Sequence, residues 1–214
     1  LLEVTGPASA DVVLCHGVLE VVEDPAAALA TIREVLRPGG SLSLLVAQRH
    51  AAVVGKPERP SPELTSKIQE INFNPYWYVP KSIIYKDLVP KAREFTRRGQ
   101  DFLNAYHMQA FDAAGNPIDG RQINWSGTEV YNYQFRQLPW SENSLGYIKI
   151  NFPNKDAVYM HDTPLKSLFG RAERFDSSGC VRVHNVDTLV AWILRDTPGW
   201  DINRIQAMKQ TGEQ

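Results

Sequence analysis

The sequence predicts an α+β protein made of two unlike segments, a strand-helix-strand fragment over residues 1–52 and a mainly-β domain over residues 53–214. Residues 1–50 contain no Phe, Tyr or Trp, so all 8 Phe, 8 Tyr and 5 Trp lie beyond them. The same stretch carries only three basic and six acidic side chains, out of 23 and 24 in the chain. The hydrophobic pattern also changes, from one helical repeat between apolar runs to short alternating strands. A single homogeneous domain rarely shows such a division.

Composition excludes several classes of function. A net charge of −1 at pH 7 provides no basic face, so we expect no nucleic-acid partner. No apolar run approaches the ~20 residues that cross a bilayer, so we expect no stable membrane insertion. The opening residues, LLEVTGPASAD, lack the basic start and apolar stretch of an export signal. Two cysteines, Cys15 and Cys180, are too few for a disulfide framework.

The first segment contains one strand-helix-strand pattern. ADVVLCHGVLEVV is an apolar, β-branched run typical of a strand, and DPAAALATIREVL after it has helical spacing. Asp24 is a suitable N-cap and Pro25 suits the first helical position. RPGG then ends the helix, and SLSLLVAQ is a second buried strand. These elements predict a parallel βαβ unit, in which Cys15 is an ordinary buried thiol.

The second segment begins with two predicted helices. RPSPELTSKIQEI is amphipathic with Ser61 as its cap, and KSIIYKDLVPKAREF is a second helix kinked at Pro90. NFNPYWYVP between them predicts an ordered packing loop. Strands are predicted at FLNAYHMQAF, VYNYQFRQ, GYIKINF and AVYMHDTP, and NVDTLVAWILRD closes the domain as a helix.

Cys180, in the stretch FDSSGCVRVHN, is the residue on which a functional interpretation depends. A lone cysteine is most often a small buried apolar residue. This one follows Gly179, which permits a sharp turn, and precedes Arg182, whose charge would favour a thiolate. In AVYMHDTP, strand alternation puts Tyr159 and His161 on one face. A thiol beside an imidazole fits a nucleophile and its base.

A metal site is the alternative use of these side chains. His161, Cys180 and His184 could bind zinc, but they lack a clear fourth ligand and the paired spacing of zinc modules. We therefore predict no metal and no cofactor. His107 is interpreted as structural, and His50 and His184 as surface residues.

Residues 1–52 resemble the later part of a class I methyltransferase that uses S-adenosylmethionine, in which an LRPGG turn leads into a central strand. The Gly-rich turn and the acidic ribose-binding residue, which would hold that cofactor, are absent from the sequence. We therefore expect this segment to be an inactive fragment that adds no cofactor site.

Residues 53 to about 200 resemble the catalytic domain of an L,D-transpeptidase, a cysteine enzyme that cross-links peptidoglycan. The signature is a His on a strand followed by Ser/Thr-x-Gly-Cys-hydrophobic-Arg, here His161 with SSGCVR. NPYWYVP, YNYQFRQLPWSENSLGYIKINFPN and YMHDTPLKSLFGR are similar to the large, periplasmic branch of the family. The implied fold is β-sandwich-like with short helices. KDLVPKAREFTRRGQDFL leaves little room for the capping insertion of that branch.

The resemblance also implies roles for individual residues. Cys180 would be the nucleophile and His161 its base. The main chain of Ser178 would orient His161. Tyr159, with the amides of Gly179 and Cys180, would stabilise the oxyanion.

Substrate binding and the reaction follow from the same resemblance. Arg182 and Ser177 would bind substrate. Cys180 would attack a tetrapeptide stem, release D-alanine and pass the acyl group to an amine. The implied partners are peptidoglycan stem peptides and carbapenem-type inhibitors, and the implied location is the periplasm or cell envelope. The alternatives are a non-catalytic peptidoglycan-binding module and, more distantly, a methyltransferase.

Overall fold

The computed structural model describes residues 6–16, 22, 24–45 and 52–212. The chain divides into two compact units, Leu1–Ala51 and Ala52–Gln214, beside the boundary that the change in composition suggests. Within the described ranges, the helices are all too short or too polar to span a bilayer.

The first unit has the predicted strand-helix-strand order. Its elements are β1 (Ala10–His16), α1 (Pro25–Val35) and β2 (Leu36–Leu45), and the two strands pair in parallel. Asp24 caps the helix, its Oδ1 accepting from the Ala27 amide at 3.0 Å. Cys15 is buried and packs with Ile32, as expected of an inert thiol. RPGG lies inside β2 rather than ahead of it, because the helix ends at Val35 and the strand begins at once.

The second unit is built from short strands and helices. Its strands are β3 (Ala52–Gly55), β4 (Glu70–Phe73), β5 (Trp77–Tyr78), β6 (Met108–Phe111), β7 (Pro117–Ile118), β8 (Gln134–Gln137), β9 (Ile148–Asn151), β10 (Met160–His161), β11 (Phe175–Ser177) and β12 (Val181–Val183). Its helices are α2 (Lys81–Ile83), α3 (Val89–Arg97), α4 (Phe102–Ala105), α5 (Val186–Ile193) and α6 (Ile202–Thr211). Three 3₁₀ turns lie at Gly120–Gln122, Glu129–Asn132 and Lys166–Gly170.

The strands of the second unit form two sheets. A six-stranded mixed sheet has the order β11-β3-β12-β10-β9-β4, and a four-stranded antiparallel sheet has the order β5-β8-β6-β7. Within the larger sheet β10 pairs in parallel with β12 and antiparallel with β9. The mixture of helices and strands agrees with the predicted α+β class.

Each sheet packs against its own helices. Ile148 and Ile150 of the larger sheet are buried with Val186 and Val190 of α5. Phe135 of the smaller sheet belongs to a separate cluster, built with residues of α3 and α4. A β-sandwich would bury two sheets against each other. In the described residues the hydrophobic clusters of the two sheets are distinct, which departs from the sandwich-like packing that the resemblance implied.

The helix predicted over RPSPELTSKIQEI is wrong, because the chain is irregular until β4 begins at Glu70. Ser61, the expected cap, uses its hydroxyl elsewhere: Oγ donates to the Gly179 carbonyl at 2.8 Å and accepts from the Gly55 amide at 3.0 Å. Leu64 and Ile68, expected on a buried face, are 39% and 41% exposed. Long-range hydrogen bonds here override a local preference for helix.

The helix predicted over KSIIYKDLVPKAREF is confirmed, and it continues through Pro90 without a break. Its middle, Ile84–Leu88, is a π-helical turn that leads into Pro90 at the start of α3. The strand predicted over FLNAYHMQAF is correct only from Met108, because Asp101 caps α4 by accepting from the Asn104 amide at 3.1 Å.

We call residues 77–137 the cap lobe. It holds the helix with the π-helical turn, the four-stranded sheet and the hydrophobic cluster between them. KDLVPKAREFTRRGQDFL, which was expected to leave little room for a capping insertion, forms part of this lobe. That segment supplies the helices of the lobe, while the strands on both sides of it in the sequence supply the rest.

Candidate active site

The central strands of the larger sheet place three side chains in one row. His161 on β10 lies opposite Lys149 on β9 and opposite Arg182 on β12. Residues that face each other across neighbouring strands project from the same side of a sheet. Tyr159 and Cys180 lie two positions before His161 and Arg182, and the residue after Cys180 donates to the Tyr159 carbonyl at 3.0 Å. The sheet therefore brings all five residues to one face.

The turn that carries Cys180 is held by hydroxyl groups. Gly179 has a φ of +117°, which residues with a side chain rarely adopt. Ser177 Oγ donates to the Cys180 carbonyl at 2.5 Å and accepts from the Gly179 amide at 3.2 Å. Ser61 Oγ donates to the Gly179 carbonyl from outside the turn. The main chain around the thiol is thus fixed on both sides.

These bonds bear on two of the predicted roles. Ser177 is 3% exposed and its hydroxyl is engaged within the turn, which is a structural position rather than the expected substrate contact. The Gly179 amide, expected to face an oxyanion, donates to Ser177 instead. Of the predicted oxyanion donors, the Tyr159 hydroxyl and the Cys180 amide remain.

Cys180, Tyr159 and His161 line one cavity of about 530 Å³. The cap lobe forms part of its wall, with Trp77 and Asp87 among the lining residues. A cleft between a rigid sheet and a separate lobe is a common setting for a binding site.

The Cys180 thiol is partly exposed, and its pKa is raised. Burial is the main cause, because it disfavours the charged thiolate. Hydrogen bonding from the backbone and hydroxyl of Tyr159 opposes the rise, and so do the charges of Lys149 and Arg182. The hydrogen bonds among the described residues do not include one between Cys180 Sγ and His161. The free thiol therefore keeps its proton at neutral pH and needs a base.

Tyr159 lies between the cap lobe and the thiol. Its hydroxyl interacts with both the Trp77 side chain and Cys180. Its ring centroid is 5.7 Å from that of His161 and 4.4 Å from Lys149 Nζ. Burial first, and then the Cys180 charge, raise the pKa of Tyr159. The phenol therefore stays protonated and is able to donate a hydrogen bond.

The His161 ring is 5% exposed and contacts the backbone carbonyl of Asp162 through Nδ1. A carbonyl oxygen only accepts, so Nδ1 carries the proton and Nε2 is the basic atom of the neutral ring. Burial first, and then the Arg182 charge, lower the pKa of His161 to about 3, although backbone hydrogen bonds with Asp162 and Leu145 oppose this. The imidazole is therefore uncharged at neutral pH.

His161 Nδ1 contacts the carbonyl of Asp162 and not the main chain of Ser178, which was expected to orient it. The chain continues from β10 directly into Asp162, which turns its carbonyl back onto the imidazole. Ser178 lies on the turn before β12, and its Oγ accepts from Arg59 Nη1 at 2.8 Å. The expected role of the Ser178 main chain in orienting His161 stays a prediction.

Asp162 is held firmly in its own right. It is 3% exposed, its amide donates to the Ile148 carbonyl at 2.9 Å, and its carboxylate pairs with Lys166. The same carboxylate accepts from the Tyr147 amide at 3.3 Å. Gly146, with a φ of +61°, makes room for it, because a Cβ there would overlap the carboxylate. These contacts hold the Asp162 carbonyl in place beside His161 Nδ1.

The guanidinium group of Arg182 has an ion-pair partner at Nη1 but no hydrogen-bond partner at Nε among the described residues. Nη1 pairs with Asp176 Oδ2 at 3.3 Å, and the side chain is 18% exposed. Burial is the main cause of a lowered pKa for Arg182, which Asp176 opposes. Nε is buried and has no hydrogen-bond partner in the part of the chain that the structure describes. An unsatisfied donor beside a cavity is a candidate contact for a substrate oxygen.

The other histidines lie away from this chemistry. The His107 ring stacks on Trp140 with centroids 3.9 Å apart, a structural position as predicted. His184 is exposed and lies against Phe169, at 4.8 Å between ring centroids. His50 is outside the described residues. Within the described ranges, no three His, Cys, Asp or Glu side chains are grouped closely enough to hold a metal ion.

Three residues of the site had no assigned role in the sequence analysis. Asp162 follows the histidine directly, and this adjacency was the available signal. Trp77 lies in the NPYWYVP block, whose aromatic composition indicated packing alone. Lys149 alternates with buried isoleucines in GYIKINF, and it read as an ordinary polar position on a half-buried strand.

The comparison with protein families decides the assignment. A sequence profile of the L,D-transpeptidase catalytic domain matches residues 30–200. The chain belongs to this family. A Haemophilus influenzae protein provisionally named an L,D-transpeptidase is 34% identical over 163 residues, which cover 74% of this chain and 32% of that protein. The chain thus spans about a third of the length of the relative it matches.

A second profile, of a methyltransferase domain, matches residues 5–44. It covers the βαβ unit and overlaps the start of the L,D-transpeptidase match. The resemblance of this segment to a methyltransferase domain is therefore borne out at the level of sequence.

Proposed function

We propose that this L,D-transpeptidase domain cross-links peptidoglycan through a cysteine acyl-enzyme, with Cys180 as nucleophile and His161 as general base. The observation that carries the proposal is that Cys180, His161 and Tyr159 lie on one face of the sheet and line one cavity. Membership of the family supplies the reaction class.

The first step is activation of a neutral pair. The raised pKa of Cys180 leaves the thiol protonated, and the lowered pKa of His161 leaves the imidazole uncharged, with Nε2 as its basic atom. A base and a nucleophile in an unliganded site often reach hydrogen-bond distance only when substrate binds. Attack then moves the thiol proton to His161 as the S–C bond forms.

Acylation follows at the carbonyl of the third residue of a tetrapeptide stem. Cys180 Sγ adds to the carbonyl carbon, and the negative oxygen is met by the Tyr159 hydroxyl and the Cys180 amide. The C–N bond to the terminal D-alanine then breaks, and the proton held by His161 passes to the leaving amine. The products of this step are a thioester on Cys180 and free D-alanine.

Deacylation repeats the chemistry in reverse. The amine of a second stem peptide attacks the thioester carbonyl and gives a proton to His161, which returns it to the departing thiol. Arg182 Nε has no hydrogen-bond partner in the described residues, and we expect it to bind an oxygen of the stem. Because the substrate is a cell-wall polymer, the protein would act in the periplasm or cell envelope.

The test is release of D-alanine from a tetrapeptide stem, together with the mass added to the intact protein by a carbapenem. Cys180→Ser replaces a thiol of pKa near ~8.5 by a far weaker acid. We expect it to abolish the mass increase and to lower release about a thousandfold or more. His161→Ala should be nearly as severe, and the double variant should be no worse than the single ones.

Cys15→Ser provides the matched control, because it removes the other thiol from a buried position in the first unit. Its D-alanine release should equal that of the wild type. A Cys180→Ser protein that still releases D-alanine at the wild-type rate would end the nucleophile assignment. A folded wild type that neither releases D-alanine nor reacts with a carbapenem would favour a non-catalytic module.

A further inference from the structure

Lys149 is a cation on the reactive face that belongs to no catalytic signature. It lies opposite His161 across the β9–β10 pairing, and its Nζ is 4.4 Å from the centre of the Tyr159 ring. A cation over the face of an aromatic ring is attracted by the ring electrons. The ammonium group is thus held over the ring whose hydroxyl meets the Cys180 thiol.

No acidic partner neutralises this cation. In the part of the chain that the structure describes, no carboxylate lies within 4.0 Å of Lys149 Nζ. The nearest acidic influence, Glu70 on β4, accepts instead from Asn151 Nδ2 at 2.7 Å. Burial lowers the pKa of Lys149, while the charges of Glu70 and then Cys180 oppose this. A half-buried cation without an ion pair leaves its field available to the thiol.

Arg182, the other cation of the row, is placed differently. It lies across β10 on the opposite side of His161, where it is paired with Asp176. Part of its charge is therefore already balanced. Lys149 approaches Cys180 from the β9 side, with the Tyr159 ring between them.

We propose that Lys149 is a positioning residue for the nucleophile: its ammonium group fixes the Tyr159 ring over the thiol and stabilises the Cys180 thiolate across the sheet. This deepens the proposed function, on which its catalytic meaning rests. The Cys180 thiolate carries negative charge near Lys149 and Tyr159. The oxyanion that forms when the thiolate attacks carries negative charge there too. The same contact therefore serves activation and attack.

Other charges face the thiol and must be distinguished from Lys149. On the sheet these are His161, Arg182 and Asp176, and the loop before β10 adds Asp156. The loop after β3 contributes Lys56, while the cap lobe contributes Asp87 and Lys91. None of the lysine or arginine side chains among them lies over the Tyr159 ring in the described residues, whereas Lys149 does. Removing Lys149 should thus change the thiol while those charges stay in place.

The test measures the thiol without any peptidoglycan substrate. In a Cys15→Ser background, the rate of Cys180 alkylation by iodoacetamide is followed by intact mass between pH 6 and pH 10. Iodoacetamide is uncharged, so binding of a charged ligand to Lys149 cannot affect it. In Lys149→Met the midpoint of the rate profile should rise by about one pH unit, and alkylation at pH 7.5 should fall about tenfold.

Two further variants make the result specific. Lys149→Arg keeps the charge and should stay within about threefold of the parent. Lys67→Met removes a lysine from the exposed chain between β3 and β4 and should leave the profile unchanged. If Lys149→Met does not fold, Lys149→Gln serves as the uncharged variant, with circular dichroism establishing the fold of each.

An uncharged variant that folds and keeps the parental midpoint would overturn the proposal. So would a Lys149→Arg protein that shifts as far as the uncharged variant, because size rather than charge would then be responsible. A parent that alkylates with the expected dependence on Lys149 but releases no D-alanine would refute the proposed function and leave the Lys149 inference intact. The two failures are therefore distinguishable.

Discussion

Arg59 forms a bidentate ion pair with Asp87, with Nη1 at 2.6 Å from Oδ2 and Nη2 at 3.2 Å from Oδ1. Nη1 also donates to Ser178 Oγ at 2.8 Å. Asp87 belongs to the π-helical turn of the cap lobe, and Ser178 belongs to the turn that presents Cys180. One guanidinium group thus joins the lobe to the catalytic turn.

Arg59→Met should therefore affect reactivity more than stability. The side chains of Arg59 and Asp87 are 20% and 45% exposed, so solvent screening limits the loss of unfolding free energy to under about 1 kcal/mol. Carbapenem acylation should slow about tenfold, because the wall of the cavity and the turn are no longer tied. Quenching the reaction at set times and recording the intact mass of the protein would measure this acylation rate.

The control is Arg121→Met, which breaks an ion pair with Asp119 in the cap lobe that does not line the cavity. Asp87→Asn combined with Arg59→Met should cost no more than Arg59→Met alone, since both remove the same contact. Additive losses would show that the two residues act independently.

Gly179→Ala should be disproportionately harmful for the addition of one methyl group. There is space for the Cβ, whose nearest contact would be 3.4 Å away at Val158, but the φ of +117° strains any residue with a side chain. We expect a loss of about 1–3 kcal/mol of unfolding free energy, or a turn that relaxes and displaces the thiol. Urea unfolding and carbapenem acylation together separate these outcomes.

Gly170→Ala is the matched control, because a Cβ there meets nothing within 4 Å and the backbone has no positive φ. It should be neutral in both measurements. Equal effects at the two glycines would contradict the argument from backbone strain.

Ser61→Ala should loosen the catalytic turn from outside. It removes the donor to the Gly179 carbonyl and the acceptor of the Gly55 amide, both partly buried bonds. We expect a cost of about 1–3 kcal/mol in urea unfolding, with slower acylation at Cys180. Ser126→Ala, at an exposed position of the cap lobe, should change neither. Unaltered stability of Ser61→Ala would show that water replaces both bonds.

Acid should destabilise this domain through His161. Its folded pKa of about 3 lies below the value of about 6.5 expected when unfolded, so the unfolded state binds the extra proton between those values. Stability is therefore complete above about pH 6.5 and falls as the pH drops toward about 3, each unit of difference being worth about 1.4 kcal/mol. Urea midpoints across this range would follow the loss.

His161→Asn keeps a polar side chain with an N–H donor but does not titrate in this range. Its urea midpoint should fall less steeply with acid than that of the wild type between pH 6.5 and pH 3. Parallel slopes for the two proteins would mean that other groups account for the acid sensitivity.

Local signals in the sequence predicted the elements that depend on neighbours in the chain. Asp24 and Pro25 marked the start of α1, and the alternation in GYIKINF gave the buried face of β9. Each signal acts within one turn or one strand, so composition and spacing suffice to read it. The short helices of the cap lobe were harder, because they depend on packing.

The site was predictable only where a motif carried it. Cys180 and His161 stood out because a resemblance placed them together, whereas Lys149 and Trp77 approach Tyr159 through pairing and packing between distant segments. The local spacing of residues does not specify the register between strands or the position of a lobe. The sequence therefore indicated only a packing role for Trp77 and a polar position on a half-buried strand for Lys149.

Two quantities relate His161 to Cys180: their separation in space, which depends on the parallel pairing of β10 with β12, and the number of residues between them in the sequence. The placement of Cys180 relative to His161 is set by the register of adjacent strands, in which His161 lies opposite Arg182, two residues after Cys180. The number of residues between His161 and Cys180 is set by the connection from β10 to β12. Residues 171–173 of that connection are exposed, so insertions or deletions there would leave the reacting pair in place. A motif search that fixes the His-to-Cys interval would consequently overlook homologues with the same geometry.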